Sequence, residues 1–149
     1  MDREHYMSLA LGLAREAAEN GEVPVGCVIV DGDGELIGSG RNRREERGDA
    51  TAHAEIEAIR AACETLGDWR LSDCAMFVTL EPCPMCAGAI INARIPTLVF
   101  GARDPVTGSC GSVIDLFSEA YGHRPAVYPG VLAEDCGALL RDFFAGKRQ

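Results

Sequence analysis

Positive charge is scarce in this chain. Its 149 residues carry 14 Lys and Arg against 23 Asp and Glu, a formal net charge of −9. A field of that sign repels polyanions at long range, so nucleic acid cannot be held by a generally basic face and only a local patch would serve. One candidate patch is Arg41-Asn42-Arg43-Arg44-Glu45-Glu46-Arg47, where four arginines outnumber two glutamates; Arg94, Arg103, Lys147 and Arg148 are scattered elsewhere. Spacing alone leaves this run open to two readings, a binding patch or a solvated loop. Also missing is any apolar window of the ~18 residues that a membrane-crossing helix needs. The start, Met1-Asp2-Arg3-Glu4-His5, lacks the basic segment and apolar run of a secretory signal, so a cytoplasmic protein is expected. There is no low-complexity tract and no shift of composition, which predicts one domain over residues 1–149. A disulfide framework is not expected either, because seven cysteines is an odd number, their spacing is irregular and two of them sit in one short C-x-x-C motif. Cys27, Cys63, Cys74, Cys110 and Cys136 read as small buried apolar residues.

What is present is the composition of a globular domain, 47% hydrophobic and 25% charged, long enough to bury a genuine core. Tyr6, Ala10, Leu13 and Ala17 recur at helical spacing, with Gly21 as the stop. Residues 23–30 predict a β-branched strand, Asp31-Gly32-Asp33-Gly34 a tight turn, and 35–40 the returning hairpin strand. Thr51 is the expected N-cap of a helix burying Ile56, Ile59, Ala62 and Cys63. Residues 74–80 predict a strand, Pro82 the first turn of a helix running to Ala93, and Pro96 the end of the connection. A strand over 97–102 leads into a glycine-rich loop over 101–111, a weaker strand over 125–131 and an amphipathic closing helix over 134–145. Alternation of strands and helices predicts an α/β layered sheet.

The chemistry-bearing residues lie in two short segments. His53-Ala54-Glu55 is followed, 27 residues further on, by Pro82-Cys83-Pro84-Met85-Cys86. An imidazole and two thiolates suffice to hold Zn²⁺ while leaving its fourth tetrahedral corner for water. Glu55, two residues from the histidine, is then the candidate proton carrier. Mid-helix, residues two apart point about 200° away from each other, but near a helix start their side chains can converge beyond the end of the axis. Cys83 and Cys86, three apart, share a face. Both pairs are expected at helix N-termini, where a partial positive charge of about half an elementary unit favours thiolate. Two thiolates neutralise the ion formally, and a zinc-bound water has its pKa lowered to about 7. Duller readings exist. C-x-x-C alone also marks redox and structural zinc sites, and a structural site would need a fourth ligand, for which Cys63, Cys74, Cys110 or His123 is available. His5 and His123 read as surface or loop residues.

The combined string H-x-E…P-C-x-x-C is the general signature of zinc-dependent nucleobase deaminases. Thr51-Ala52-His53-Ala54-Glu55-Ile56 and the run Thr79-Leu80-Glu81-Pro82-Cys83-Pro84-Met85-Cys86-Ala87-Gly88-Ala89 carry this wider likeness, within the cytidine/deoxycytidylate deaminase superfamily. From Glu22-Val23-Pro24-Val25-Gly26 to the closing helix the chain resembles the bacterial tRNA-specific adenosine deaminases. Phe100-Gly101-Ala102-Arg103-Asp104, Thr107-Gly108, Gly111-Ser112 and Leu139-Leu140-Arg141-Asp142-Phe143-Phe144 carry that narrower likeness. The resemblance implies a three-layer αβα sandwich with a mixed, mostly parallel central sheet, one Zn²⁺ per subunit and a homodimer. It implies His53, Cys83 and Cys86 as ligands and Glu55 as the catalytic acid and base. It also implies Asn42 bonding a flipped base, Val25 lining the pocket, the Ala54 N–H at the oxygen being installed, and Asp104 beside the anticodon-loop sugar. The implied partner is the anticodon stem-loop of a tRNA, and the implied reaction is adenosine to inosine at the wobble position. Phe143 and Phe144 would border neighbouring nucleotides. Two departures stand out: Ala50 occupies a position where these enzymes usually have proline, and the chain is unusually acidic, so shape would matter more than charge in binding RNA. The rival functions are a deaminase of free guanine or cytidine and a non-enzymatic zinc module.

Overall fold

A computed structural model describes residues 2–147; Met1, Arg148 and Gln149, with the side chain of Lys147, lie outside the described residues. The first helix, α1 (Arg3–Glu19), begins where the Asp2 carboxylate accepts the His5 N–H at 3.1 Å. It buries Met7, Ala10, Leu11, Ala14 and Ala17, the stripe that a 3.6-residue period brings to one face. Gly21, with φ +76°, ends it in a Schellman turn: the Gly21 N–H bonds Ala18 O at 3.1 Å and the Glu22 N–H bonds Ala17 O at 3.0 Å. That turn drives Glu22 into the interior, where it is 1% exposed.

Strand β1 (Gly26–Val30) starts later than the expected residue 23, because the Val25 N–H turns back onto Val23 O at 2.9 Å. It pairs antiparallel with β2 (Leu36–Arg41) and, on its other side, antiparallel with β3 (Ala75–Leu80). Parallel pairings then add β4 (Thr97–Ala102) and β5 (Ala126–Tyr128), giving the order β2-β1-β3-β4-β5. Only β1 opposes the other strands, so the sheet is mixed and mostly parallel, as the resemblance implies. The weak strand predicted over 125–131 keeps three residues, at the sheet edge.

One face of the sheet packs Val28, Val30, Phe77 and Val99 against α1 and the closing helix α5 (Ala133–Lys147). The other packs Cys27, Ile29, Met76, Val78, Leu98 and Phe100 against two more helices. These are α3 (Ala54–Leu66) and α4 (Pro84–Asn92), while a short helix, α2 (Arg44–Arg47), lies within the arginine-rich run of residues 41–47. Three of the boundary and facing expectations need correction. The N-cap of α3 is His53, and Thr51 instead bonds the Asp49 carboxylate through both its N–H (2.8 Å) and its hydroxyl (2.7 Å). The buried face of α3 is Ala54, Glu55, Ala58 and Ala62, with Ile56, Ile59 and Cys63 only half-buried. The cause is β2, whose Gly38 and Gly40 lie against this side of the helix: a methyl group at Gly40 would fall 2.5 Å from the Ala54 carbonyl oxygen, so the strand must be bare where the Ala54, Ala58 and Ala62 side of α3 comes down on it. Finally, Pro84 and not Pro82 holds the first helical position of α4, where its missing N–H costs nothing. No helix among the described residues is long and apolar enough to cross a membrane.

Candidate active site

The two helix starts meet at one point. His53 caps α3, while Cys83 caps α4 and Cys86 lies in its first turn. The His53 Nδ1 atom is 3.6 Å from Cys83 Sγ and 3.5 Å from Cys86 Sγ, and the three donor atoms lie within 4.8 Å of one another. Zinc bonds of about 2.1 Å to nitrogen and about 2.3 Å to sulfur, at the tetrahedral angle, require an N···S separation of about 3.6 Å. The donor set therefore fits a tetrahedral Zn²⁺ in type and spacing. Among the described residues, Cys63, Cys74, Cys110 and His123 do not join the cluster, and neither does the Glu55 carboxylate. Three donors fit a catalytic site, where a structural one takes four.

Charge at this point is set by mutual hydrogen bonding. The Cys83 thiol is brought down to about 4, first by its hydrogen bond with Cys86 and, against the effect of burial, by His53 as well. Cys86 moves far upward, because it keeps the proton that the two sulfurs share and because it is buried. His53 is raised by its hydrogen bond to Cys83. A divalent cation would take the place of that shared proton and leave two thiolates. Glu55, the second residue of α3 and 4% exposed, is pushed up to about 7 by burial, against the pull of its hydrogen bonds and of His53.

Beside the cluster opens a pocket whose walls include Val23, Val25, Leu80, Asn42, Asp104 and Thr107, with His53, Ala54, Glu55 and Cys83 at its base. All the site residues singled out from the sequence are thus at or beside one cavity, although they come from five separate stretches of chain. Ala54 is the first residue of α3, so its N–H has no partner within the helix. Asn42 donates from Nδ2 to Val23 O at 3.2 Å and accepts the Arg44 N–H on Oδ1 at 3.1 Å, which fixes the amide plane; each group keeps one further hydrogen-bonding position. The Asp104 carboxylate folds back on its own loop, accepting the N–H groups of Val106 (2.9 Å) and Thr107 (3.2 Å) and the Thr107 hydroxyl (2.8 Å).

Two buried glutamates that the sequence reading gave no role hold the walls in place. Glu22 accepts the N–H groups of Glu45 at 3.0 Å and Glu46 at 2.7 Å, and so fastens α2 over the pocket. Glu81, 2% exposed, accepts the N–H groups of Asp104 (3.1 Å), Cys110 (3.0 Å) and Ser112 (3.1 Å) together with the Ser112 hydroxyl. Burial alone would raise its pKa, yet the bonds from Ser112, Asp104 and Cys110 prevail and hold it below the ordinary carboxylate value. A glutamate after a helix-stopping glycine, and another between an apolar strand and a metal ligand, were the available signals. The basic run also resolves. Arg41 pairs with Glu46 at 3.0 Å and Glu16 at 3.6 Å, Arg43 with Glu46 at 3.3 Å, and Arg47 with Glu57 at 2.8 Å.

This site and fold have counterparts in known proteins. The chain is 49% identical over 148 residues to the tRNA-specific adenosine deaminase of Agrobacterium fabrum, covering 99% of this chain and 97% of that protein. It is 50% identical over 143 residues to a tRNA(Ile)-lysidine synthase of Deinococcus radiodurans; the match takes in 96% of this chain and spans a quarter (25%) of the length of that relative. A solved structure from work on A-to-I editing by tRNA:A34 deaminases at the wobble position of transfer RNA superposes with a TM-score of 0.88 at 48% identity, covering 91% of this chain and 99% of that one. The MafB19-like deaminase family matches residues 1–146. With its three-donor cluster, buried glutamate and layered sheet, the chain belongs to the MafB19-like deaminase family.

Proposed function

We propose that this chain is a tRNA-specific adenosine deaminase, which converts adenosine and water to inosine and ammonia at the wobble position of a tRNA anticodon. The observation that carries the reading is a buried Glu55 carboxyl beside a three-donor cluster, both on one largely apolar pocket. The names borne by relatives of nearly the same length support the RNA substrate. His53, Cys83 and Cys86 would hold one Zn²⁺, which when bound supplies a water acidic enough to act as a nucleophile near neutral pH. Glu55, titrating at about 7, both accepts the proton of the attacking water and delivers it to the ring nitrogen beside the attacked carbon. The apolar walls at Val25 and Leu80 exclude bulk water and take the faces of the base. Asn42 offers its free amide positions to the edge of the base, and the Ala54 N–H meets the incoming oxygen. Asp104 borders the sugar. An anticodon loop is already unpaired, which lowers the cost of extruding the base. Residues 1–149 act as one catalytic unit, as a homodimer in the cytoplasm.

The decisive assay measures ammonia release from an arginine-tRNA anticodon stem-loop, adenosine, guanine and cytidine, in parallel. Turnover of the hairpin adenosine is expected. Turnover of guanine or cytidine with none of the hairpin would replace the proposal by the free-base reading, and zinc-loaded protein that releases ammonia from none of the four would support the non-enzymatic one.

A further inference from the structure

We propose that Arg44 and Arg103 form a two-point clamp for the phosphates of the nucleotides flanking the extruded base. The inference rests on the RNA reading above and identifies where a chain of net charge −9 finds its contact with a polyanion. The four arginines of residues 41–47 are not equivalent once folded. Arg41, Arg43 and Arg47 are each committed to a glutamate. Arg44 is exposed and, among the described residues, has no carboxylate within ion-pairing distance. It lies on the wall of the catalytic pocket and also on an adjoining open groove, so it stands where one passes into the other. The same groove is lined by Leu80, Leu140, Phe144 and Arg103, the last likewise exposed and without an ion-pair partner among the described residues. Arg103 lies near the Phe100 ring, 5.7 Å from its centre, an arrangement that leaves its guanidinium available to an anion.

Asp104, the acid of this groove, turns its carboxylate to Val106 and Thr107 and forms no ion pair with either arginine, so both guanidinium groups keep their donors for an anion. The position of Arg44 is also fixed. Its N–H is held by Asn42 Oδ1, and the next two N–H groups are held by buried Glu22, so its backbone is anchored before substrate arrives. Two unpaired cations on one groove with apolar side chains Leu80, Leu140 and Phe144 suit single-stranded RNA, which offers phosphates to the cations and bases to hydrophobic or aromatic side chains. A free nucleobase has no phosphate, so this clamp favours a polynucleotide over the same base in solution.

The test is the salt dependence of stem-loop affinity, measured on the full-length zinc-loaded protein. Each phosphate contact on a single strand contributes about 0.7 to the slope of log K against log salt. Arg44→Gln and Arg103→Gln should each make the slope shallower by about 0.7, and the double variant by about 1.4. Arg44→Lys should restore the slope, because a point charge suffices for a phosphate. Arg60→Gln serves as control: Arg60 is exposed on α3 and absent from both the pocket and the groove, so its loss should leave the slope unchanged. Weaker binding by Arg44→Gln at an unaltered slope, or an equal change in the Arg60 control, would overturn the clamp. Failure of the RNA reading itself looks different: the wild-type protein would then release no ammonia from the stem-loop.

Discussion

Glu55 and Glu81 lie on the same pocket, both almost lost to solvent at 4% and 2% exposed, and their environments shift their pKa values in opposite directions. Glu55 has burial as its dominant influence and rises to about 7. Glu81 is as little exposed, but three backbone N–H groups and a hydroxyl converge on it and hold its pKa below the ordinary carboxylate value. Burial sets the cost of a charge, and the number of donors aimed at it decides whether that cost is met. One carboxylate is thus poised to exchange a proton, and the other serves as an anionic staple for the loop that bears Asp104.

Substitution by glutamine, which removes the charge and keeps the shape, separates the two roles. Glu55→Gln removes the proton carrier, and the rate of hairpin deamination should fall by about 10²–10⁴, the usual worth of a positioned acid and base. Zinc content by elemental analysis should be unchanged, since Glu55 lies outside the donor cluster; metal lost in step with activity would make Glu55 a ligand. Glu81→Gln should act on the fold. Its amide NH₂ would face N–H donors, and leaving one or two of them unsatisfied costs about 1–3 kcal/mol each, readable as a lower denaturant midpoint. Amide exchange should accelerate at Asp104, Cys110 and Ser112. A Glu81→Gln protein with full stability but no turnover would erase the distinction between the two residues.

The smallest effect is in the pH dependence of the zinc-free protein. Glu55 has a folded pKa of about 7 against an ordinary 4.5, so the folded state binds more protons and loses stability as pH rises through that interval. Glu55→Gln should remove this loss, and its stability should gain on wild type between pH 4.5 and 7. Glu81 has the reverse sign. Its folded pKa is depressed, so its contribution is present above the unfolded value and disappears as pH falls through the folded one. The gap between wild type and Glu81→Gln should therefore close in acid. Parallel pH curves for the two variants would contradict the contrast.

How much of this was legible in the chain follows from how local each cause is. The candidate donors His53, Cys83 and Cys86 could be named because a metal needs particular donor atoms, and helix starts supply them at short, recognisable spacings. The hairpin and the helices α1 and α5 could be drawn from periodicity with small errors at their ends. The face of α3 could not, because Ile56 and Ile59 look like the core until Gly38 and Gly40 of β2 are known to sit against the alanines. The cap of the same helix was misplaced for a related reason: Thr51 has the right chemistry, but its hydroxyl is taken by Asp49. Nothing in the run from Arg41 to Arg47 marks which arginine is left unpaired, since partners such as Glu16 and Glu57 lie far away along the chain.

By itself, then, the sequence pointed to the candidate donor atoms, the proposed proton carrier and the alternation of elements, all properties of residue type and short-range spacing. The tertiary structure alone decided charge and position: that Glu55 is held near neutrality while Glu81 is not, that Glu22 fastens α2 over the pocket, and that Arg44 and Arg103 face an open groove unpaired. Solvation and Coulomb energy depend on distances through space, and those distances are fixed only when stretches far apart in the chain are packed together.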